Sequence, residues 1–292
     1  MRVLIAGCGD VGNALALSLL KDGHVVYGLK RDTSSLPHGV LPIQADLLDT
    51  STLTDLPVEI DSLVFMPTPA SRDESAYEAI FIHGWRNLWT GLKQKPDRTL
   101  LVSSTSVFGE AGGGLVEEGT SPDPTGFNGK ILLKMEQLAA SCTEKLVVVR
   151  ISGIYGPERE RLIRQAASKG FEVQKTPPCF TNRIHRDDAA AALKHLLEIE
   201  KPESLYLASD NLPAPRYEVV EWLAKAQGKP APVGLVVEHA GRGKRVNNQR
   251  LRDSGFKLSY PDYRSGYGAV LKDRRKAGQA FKPSRHLPTQ QK

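Results

Sequence analysis

Over the first half of the chain, short apolar runs alternate with longer stretches in which apolar positions recur every third or fourth residue. The alternation predicts strands over residues 3–6, 25–29, 43–45, 62–65, 99–103 and 146–151, and helices near 11–21, 73–94 and 128–142. Strands joined by crossover helices pair in parallel. Right-handed connections bring their C-terminal ends to one edge, where ligands bind in such sheets. The expected fold class is therefore α/β, a doubly wound parallel sheet.

After Tyr155 the pattern loosens. Pro177, Pro178, Pro202, Pro213, Pro215, Pro230 and Pro232 punctuate shorter helices near residues 186–199 and 216–227. This second part is expected to be a smaller C-terminal portion that caps the sheet and holds the substrate. The expected division is a sheet domain over residues 1–157, rejoined by residues 183–210, a mainly capping portion over 158–271, and a basic, disordered tail over 272–292.

Charge changes the picture only once it is located. The chain of 292 residues carries a formal net charge of +6. Residues 272–292 hold seven Lys and Arg against Asp273 alone, so the body is neutral and the tail reads as a solvated, frayed end. Nucleic acid is not an expected partner. With 40% hydrophobic and 25% charged residues, the composition is that of a globular protein. The apolar run 3–6 is too short for a signal segment or a spanning helix, and no longer one follows, which predicts a cytoplasmic protein without a membrane partner. Cys8, Cys142 and Cys179 are odd in number and far apart, so they are read as reduced thiols, with Cys8 filling a packing role. His185 and Asp187 lack the further ligands a metal would need, and no metal is expected.

The strongest chemical signal is local. Residues 2–6 form a strand pattern, Gly7-Cys8-Gly9-Asp10-Val11-Gly12 follows, and a helical pattern begins at once. Gly7 suits the tight turn, Gly9 leaves room for a pyrophosphate to approach the backbone, and Gly12 allows the helix to pack closely on the sheet. The amides of the helix start then hold the phosphates. A dinucleotide coenzyme is the implied ligand. At the end of the second strand, where an acid would meet a ribose 2′-OH, stand Lys30 and Arg31. Two cations suit a 2′-phosphate, so NADP is expected over NAD; the alternative has Asp32 meeting the ribose and both cations merely exposed.

Further stretches follow in order: Ala45-Asp46-Leu47-Leu48-Asp49, residues 61–68 ending in Met66-Pro67-Thr68, residues 101–109 around Ser104, Arg150-Ile151-Ser152-Gly153-Ile154-Tyr155-Gly156-Pro157, Arg183-Ile184-His185-Arg186-Asp187-Asp188, residues 206–210 and Lys244-Arg245. Together they resemble an extended short-chain dehydrogenase/reductase of the NAD-dependent epimerase/dehydratase family, from the first strand to about Leu271. The resemblance implies a Rossmann-type domain, with Asp46 and Leu47 beside the adenine, Met66 and Pro67 along the coenzyme, and Ser104 as the catalytic hydroxyl. It also implies a homodimer formed through the helices near 73–94 and 128–142. Structural alternatives stand beside these roles: Asp46 as a turn cap, Tyr155 as a core residue and Asp188 as a helix N-terminal charge, the last two favoured.

The chain departs from the family where a Tyr and a Lys four residues later would form a proton relay. Aligning Gly129 and Glu136 puts Asn128 at the Tyr and Leu132 at the Lys, and no Tyr lies between Tyr77 and Tyr155. Lys130 and Lys134, four apart on one helical face, are a less favoured replacement pair. The expectation is an atypical NAD(P)-binding, epimerase/dehydratase-like oxidoreductase. Its substrate would be small and polar, with a nucleotide sugar as one option, and its catalytic candidates are Ser104, Asn128 and Lys130. The alternative is a non-catalytic NADP-binding sensor or scaffold.

Overall fold

The computed structural model describes residues 1–238, 241–276 and 278. Seven strands, β1 (Arg2–Ala6), β2 (Val25–Lys30), β3 (Leu41–Gln44), β4 (Ser62–Phe65), β5 (Arg98–Ser104), β6 (Leu146–Ile151) and β7 (Leu205–Ala208), pair in parallel in the order β3-β2-β1-β4-β5-β6-β7. The order reverses between β1 and β4, which opens a crevice at the C-terminal ends of those two strands. The fold is the Rossmann-type α/β sheet.

Strands covered on both faces are apolar on both, and β4 and β6 are buried throughout. Alternate side chains supply two cores. Leu4, Phe65, Leu101 and Val148 pack against Trp85, Leu88, Met135 and Ala139, from α3 (Gly84–Gly91) and α4 (Phe127–Cys142). Val3, Ile5, Val64 and Val149 pack on the other face against Leu15 and Leu19 of α1 (Asp10–Lys21) and Leu193 and Leu196 of α6 (Arg186–Glu198).

A third core joins α5 (Arg161–Ala166), α7 (Arg216–Ala226) and α9 (Tyr263–Lys276) through Ile163, Val219, Leu223, Tyr267 and Leu271, with the short α8 (Gln249–Asp253) between the last two along the chain. Short strands surround it. Glu172–Thr176 pairs with Val233–Val236, and Cys179–Thr181 lies between Ala214–Pro215 and Arg242–Gly243. Gly153–Tyr155 and Arg183–His185 pair in parallel at the junction with the main sheet.

Three expectations need correction. The third strand spans Leu41–Gln44 rather than 43–45, because Asp46 turns the chain by accepting the Leu48 amide at 2.9 Å. The single helix near 73–94 is α2 (Glu74–Glu78), a wider π-type turn over Ala79–His83, and then α3. The basic stretch is not frayed from 272 onward: α9 runs to Lys276, anchored by buried Tyr263, Tyr267, Val270 and Leu271 and by Arg274, which pairs with Glu160 at 3.0 Å. Most of the expected tail, residues 279–292, lies outside the described residues.

Candidate active site

The glycine turn connects β1 to α1. Gly7 has φ +90°, and a Cβ built there would lie 2.5 Å from Pro67 Cα and 2.7 Å from the Met66 carbonyl oxygen. Only glycine fits, because the chain turns left-handed while β4's continuation passes directly beneath. At Gly9 the reverse holds. A Cβ would meet nothing nearer than the Gly7 carbonyl at 3.9 Å, so the crevice over this residue is open. Gly9 is also the N-cap of α1 and offers no side chain to its first amides, which leaves donors to meet an anion.

From this turn a cleft of about 330 Å³ runs along the strand ends. That is within the range of small-molecule sites. Gly7 and Gly9 line its floor, Lys30 and Arg31 one end, and Asp46, Leu47 and Pro67 its walls, so seven of the eleven expected coenzyme residues face it. The other four serve it indirectly. Val11 is in the core, Gly12 lets α1 approach Ile5 Cγ2, Met66 supplies the carbonyl under Gly7, and Asp10 is paired with an arginine.

Ala45, Leu48, Ala76, Ala79 and Ile80 add an apolar wall. Ala79 and Ile80 come from the π-type turn, whose wider spacing turns them to the cleft. Asp46 accepts the Leu48 amide while it also lines the cleft, so the cap and the wall are one residue. Asp32 accepts the Ser34 amide at 2.9 Å, and Lys30 donates to Ser35 Oγ at 2.7 Å. Cys8 is buried, and burial pushes its thiol up to about 11, so it remains an uncharged packing group.

Ser104 ends β5, and its Oγ accepts the Ser106 amide at 3.1 Å, capping the short turn Thr105–Phe108. Helix α4 presses on that turn: a Cβ on Gly129 would lie 2.5 Å from the Ser106 carbonyl. Asn128 precedes Gly129 in the first turn of α4. Lys130, two residues on and so about 200° around the helix, is exposed, and none of Ser104, Asn128 and Lys130 is among the residues lining the cleft. Lys134 pairs with Glu78 at 2.8 Å, and Leu132 is buried in the core. Both lysines are exposed on α4.

Several residues that organise the site carry no local sequence signal. Arg159 donates to both oxygens of Asp10, at 2.5 and 2.7 Å, across 149 positions of chain. Burial opposes the Asp10 charge, but Arg159 outweighs it and holds the carboxyl below its usual range. Beneath Ser104, Glu136 of α4 accepts Ser103 Oγ and forms a two-pronged pair with Arg150, at 3.1 and 2.7 Å, all three buried. His185 caps α6: its Nδ1 accepts the Asp187 amide at 3.2 Å, and burial pushes its pKa down. Tyr155 and Asp188 are buried, and Asp188 accepts the amides of Ser259 and Tyr260.

The family model for the NAD-dependent epimerase/dehydratase family matches residues 3–205. The chain belongs to that family, and its fold is the Rossmann-type sheet described above. A solved structure from Methylobacillus flagellatus, of a protein assigned to the NAD-dependent epimerases/dehydratases without an established activity, is 38% identical, with 94% of this chain and 98% of that one covered and a TM-score of 0.82. The UDP-glucuronic acid 4-epimerase of Bacillus cereus, solved with NAD, is 20% identical (96% and 100% covered, TM-score 0.78). The UDP-glucose 4-epimerase of Thermotoga maritima, solved with UDP-glucose, is 16% identical (96% and 100%, 0.80). At those identities the likeness to the two epimerases is one of fold. No curated protein matches the sequence. Among the described residues, no helix is long and apolar enough to cross a membrane.

Proposed function

We propose that this chain is a cytoplasmic, NADP-dependent oxidoreductase of epimerase/dehydratase type that acts on a small polar substrate, with nucleotide-linked sugars the first class to test. The observation that carries the coenzyme reading is the open backbone at Gly9 in a cleft that ends at Lys30 and Arg31. Asp32, the acid that competes for the ribose, lines the same cleft and accepts the Ser34 amide through one oxygen, Oδ1, beside these two cations. The apolar wall of Ala45, Leu48, Ala76, Ala79 and Ile80 suits an adenine ring, and the α1 amides suit a diphosphate. When bound, NADP would supply hydride transfer. The chain would contribute a hydroxyl at Ser104 and an amide at Asn128 to orient the substrate's oxygen. The proton that the absent Tyr would move would have to pass through Ser104 or a group of the substrate.

A second reading, a non-catalytic NADP sensor, is supported by the burial of Leu132, the residue that aligning Gly129 and Glu136 puts at the family's Lys. Both readings keep the coenzyme, and pairing of two copies through the face formed by α2, α3 and α4 is proposed with either. Calorimetric titration with NADP⁺, NADPH, NAD⁺ and NADH, followed by turnover screens with nucleotide sugars and carbonyl compounds, separates them. The enzyme reading expects tighter binding of the 2′-phosphorylated coenzymes, a preference lost in Lys30→Ala/Arg31→Ala, and turnover that Ser104→Ala removes. NAD⁺ binding better than NADP⁺, unaffected by the double variant, would contradict the NADP assignment. Tight binding with no turnover on any substrate would favour the sensor.

A further inference from the structure

Where the main sheet meets the third core, Arg183 Nη1, Asp210 Oδ2 and the hydroxyls of Tyr155 and Tyr263 are all buried and have no hydrogen-bond partner among the described residues. Two of these atoms are complementary, a cationic donor and a carboxyl acceptor. The backbones of their residues already touch, with the Asp210 amide donating to the Arg183 carbonyl at 2.7 Å. The side chains nevertheless turn elsewhere. Arg183 Nη2 donates to the Thr181 carbonyl at 3.1 Å, and the guanidinium stands 5.4 Å from the centre of the Tyr263 ring. Asp210 accepts the Leu212 amide at 3.2 Å through its other oxygen. Arg183 is 4% exposed and Asp210 not at all, so water does not take the place of the missing partner.

An arginine stays charged at any pH a protein tolerates, so Asp210 is the variable member of the two. Burial pushes Asp210 up to about 7, against the pull of Arg183 and the Leu212 amide, and the nearby acids Asp262 and Asp188 push the same way as burial. The remaining titratable neighbours do not compete for the role. Burial raises the phenols of Tyr155 and Tyr267, so neither ionises near neutrality. Asp188 is committed to the amides of Ser259 and Tyr260, and His185, edge-on to Tyr155, is kept uncharged by its burial.

We propose that Arg183 and Asp210 form a proton-operated latch at the joint between the seven-stranded sheet and the third core. The arrangement described above is its protonated setting, with Arg183 on Thr181 and the Tyr263 ring. When Asp210 releases its proton to solvent, Nη1 turns to Oδ2, a charge-assisted pair forms, and the guanidinium leaves Tyr263. The movement has somewhere to go. Asp210 follows β7, Arg183 begins the strand Arg183–His185, and Tyr263 opens α9 and meets Trp222 of α7 edge-on at 5.8 Å. Arg183, Tyr155 and Tyr267 also line a second cleft of about 390 Å³, so the setting of the latch changes the charge on that wall. The latch does not depend on the function proposed above.

The sign of its effect on stability follows from linkage. The folded carboxyl keeps its proton up to about pH 7, whereas an unfolded one releases it near 3.9. The stability this proton confers is complete below the lower value and is lost as the pH rises through the upper one.

The test records tryptophan emission of the full chain between about pH 5.5 and 8.5 for the wild type, Asp210→Asn and Trp222→Phe. Asparagine keeps the shape of Asp210 and an oxygen for the Leu212 amide but cannot ionise. The expected result is an emission change in the wild type with its midpoint near pH 7, absent from both variants. Urea denaturation over the same range supplies the second readout. Relative to Asp210→Asn, the wild type's folding constant should fall by up to about tenfold per pH unit below the midpoint and level off above it. Wild-type emission that stays flat, the same titration in Asp210→Asn, or a stability difference that does not vary with pH overturns the proposal. Should Asp210→Asn fail to fold, the titrations of the wild type and Trp222→Phe decide it by themselves.

Discussion

Asp10 is the residue on which the coenzyme site's charge balance turns. A carboxylate in the first turn of α1 favours the helix dipole, but it stands where a diphosphate would also have to sit. Arg159 removes that conflict by neutralising it with two hydrogen bonds. Substituting Arg159 by Ala leaves Asp10 unneutralised, and the affinity for NADP⁺ is expected to fall about tenfold, as one uncompensated charge near another does. Adding Asp10→Asn should recover most of the loss. Calorimetry on the two single variants and the double variant checks this; equal losses in Arg159→Ala and in the double variant would show that Arg159 acts by some means other than cancelling Asp10. None of this is legible in the sequence, because residues 10 and 159 meet only once the chain after β6 has folded back over the turn.

At the scale of the element, α4 decides what kind of chemistry the site can carry. Its position is fixed near its start by Gly129 against the Ser106 carbonyl and beyond its middle by Glu136 between Ser103 and Arg150. Glu136→Leu strips Arg150 of its counter-charge in a buried setting and is expected to cost about 3–5 kcal/mol, read from urea denaturation. Replacing Arg150 by Met in the same chain should restore much of that loss; a double variant as unstable as the single one would mean that packing, rather than charge, is what Glu136 provides. The strand and helix pattern of this region was readable from periodicity, since α4 keeps an apolar stripe through Ile131, Leu132, Met135 and Ala139. The helix before it was not. Its apolar positions continue through the π-type turn at Ala79–His83, and periodicity alone does not register one extra residue in a turn. That turn is what brings Ala79 and Ile80 to the cleft. In the same way, α9 hides its buried stripe of Tyr263, Tyr267, Val270 and Leu271 beneath a run of cations.

Across the whole molecule, legibility follows distance along the chain. The first strand, the glycine turn and the helix start lie within about a dozen consecutive residues, so the type of each residue already implies the geometry it adopts. The cleft lined by Arg159, Arg161, Arg183 and Arg216 draws on three separate segments of chain and borders the third core through Tyr155 and Tyr267. Its chemistry is a property of the tertiary structure. Arg159 lies between the glycine turn, through its pair with Asp10, and that second cleft.

The central claim is that the open backbone at Gly9 is where the coenzyme's diphosphate rests. Calorimetric titration of NADP⁺ into the wild type and Gly9→Val tests it most directly, because a Cβ at this position would meet no atom of the protein nearer than 3.9 Å. The account predicts one site per chain in the wild type, and a variant that melts at nearly the same temperature yet binds at least about tenfold more weakly, or about 1.4 kcal/mol. A variant that binds as tightly as the wild type, or a wild type that takes up no dinucleotide, would contradict it.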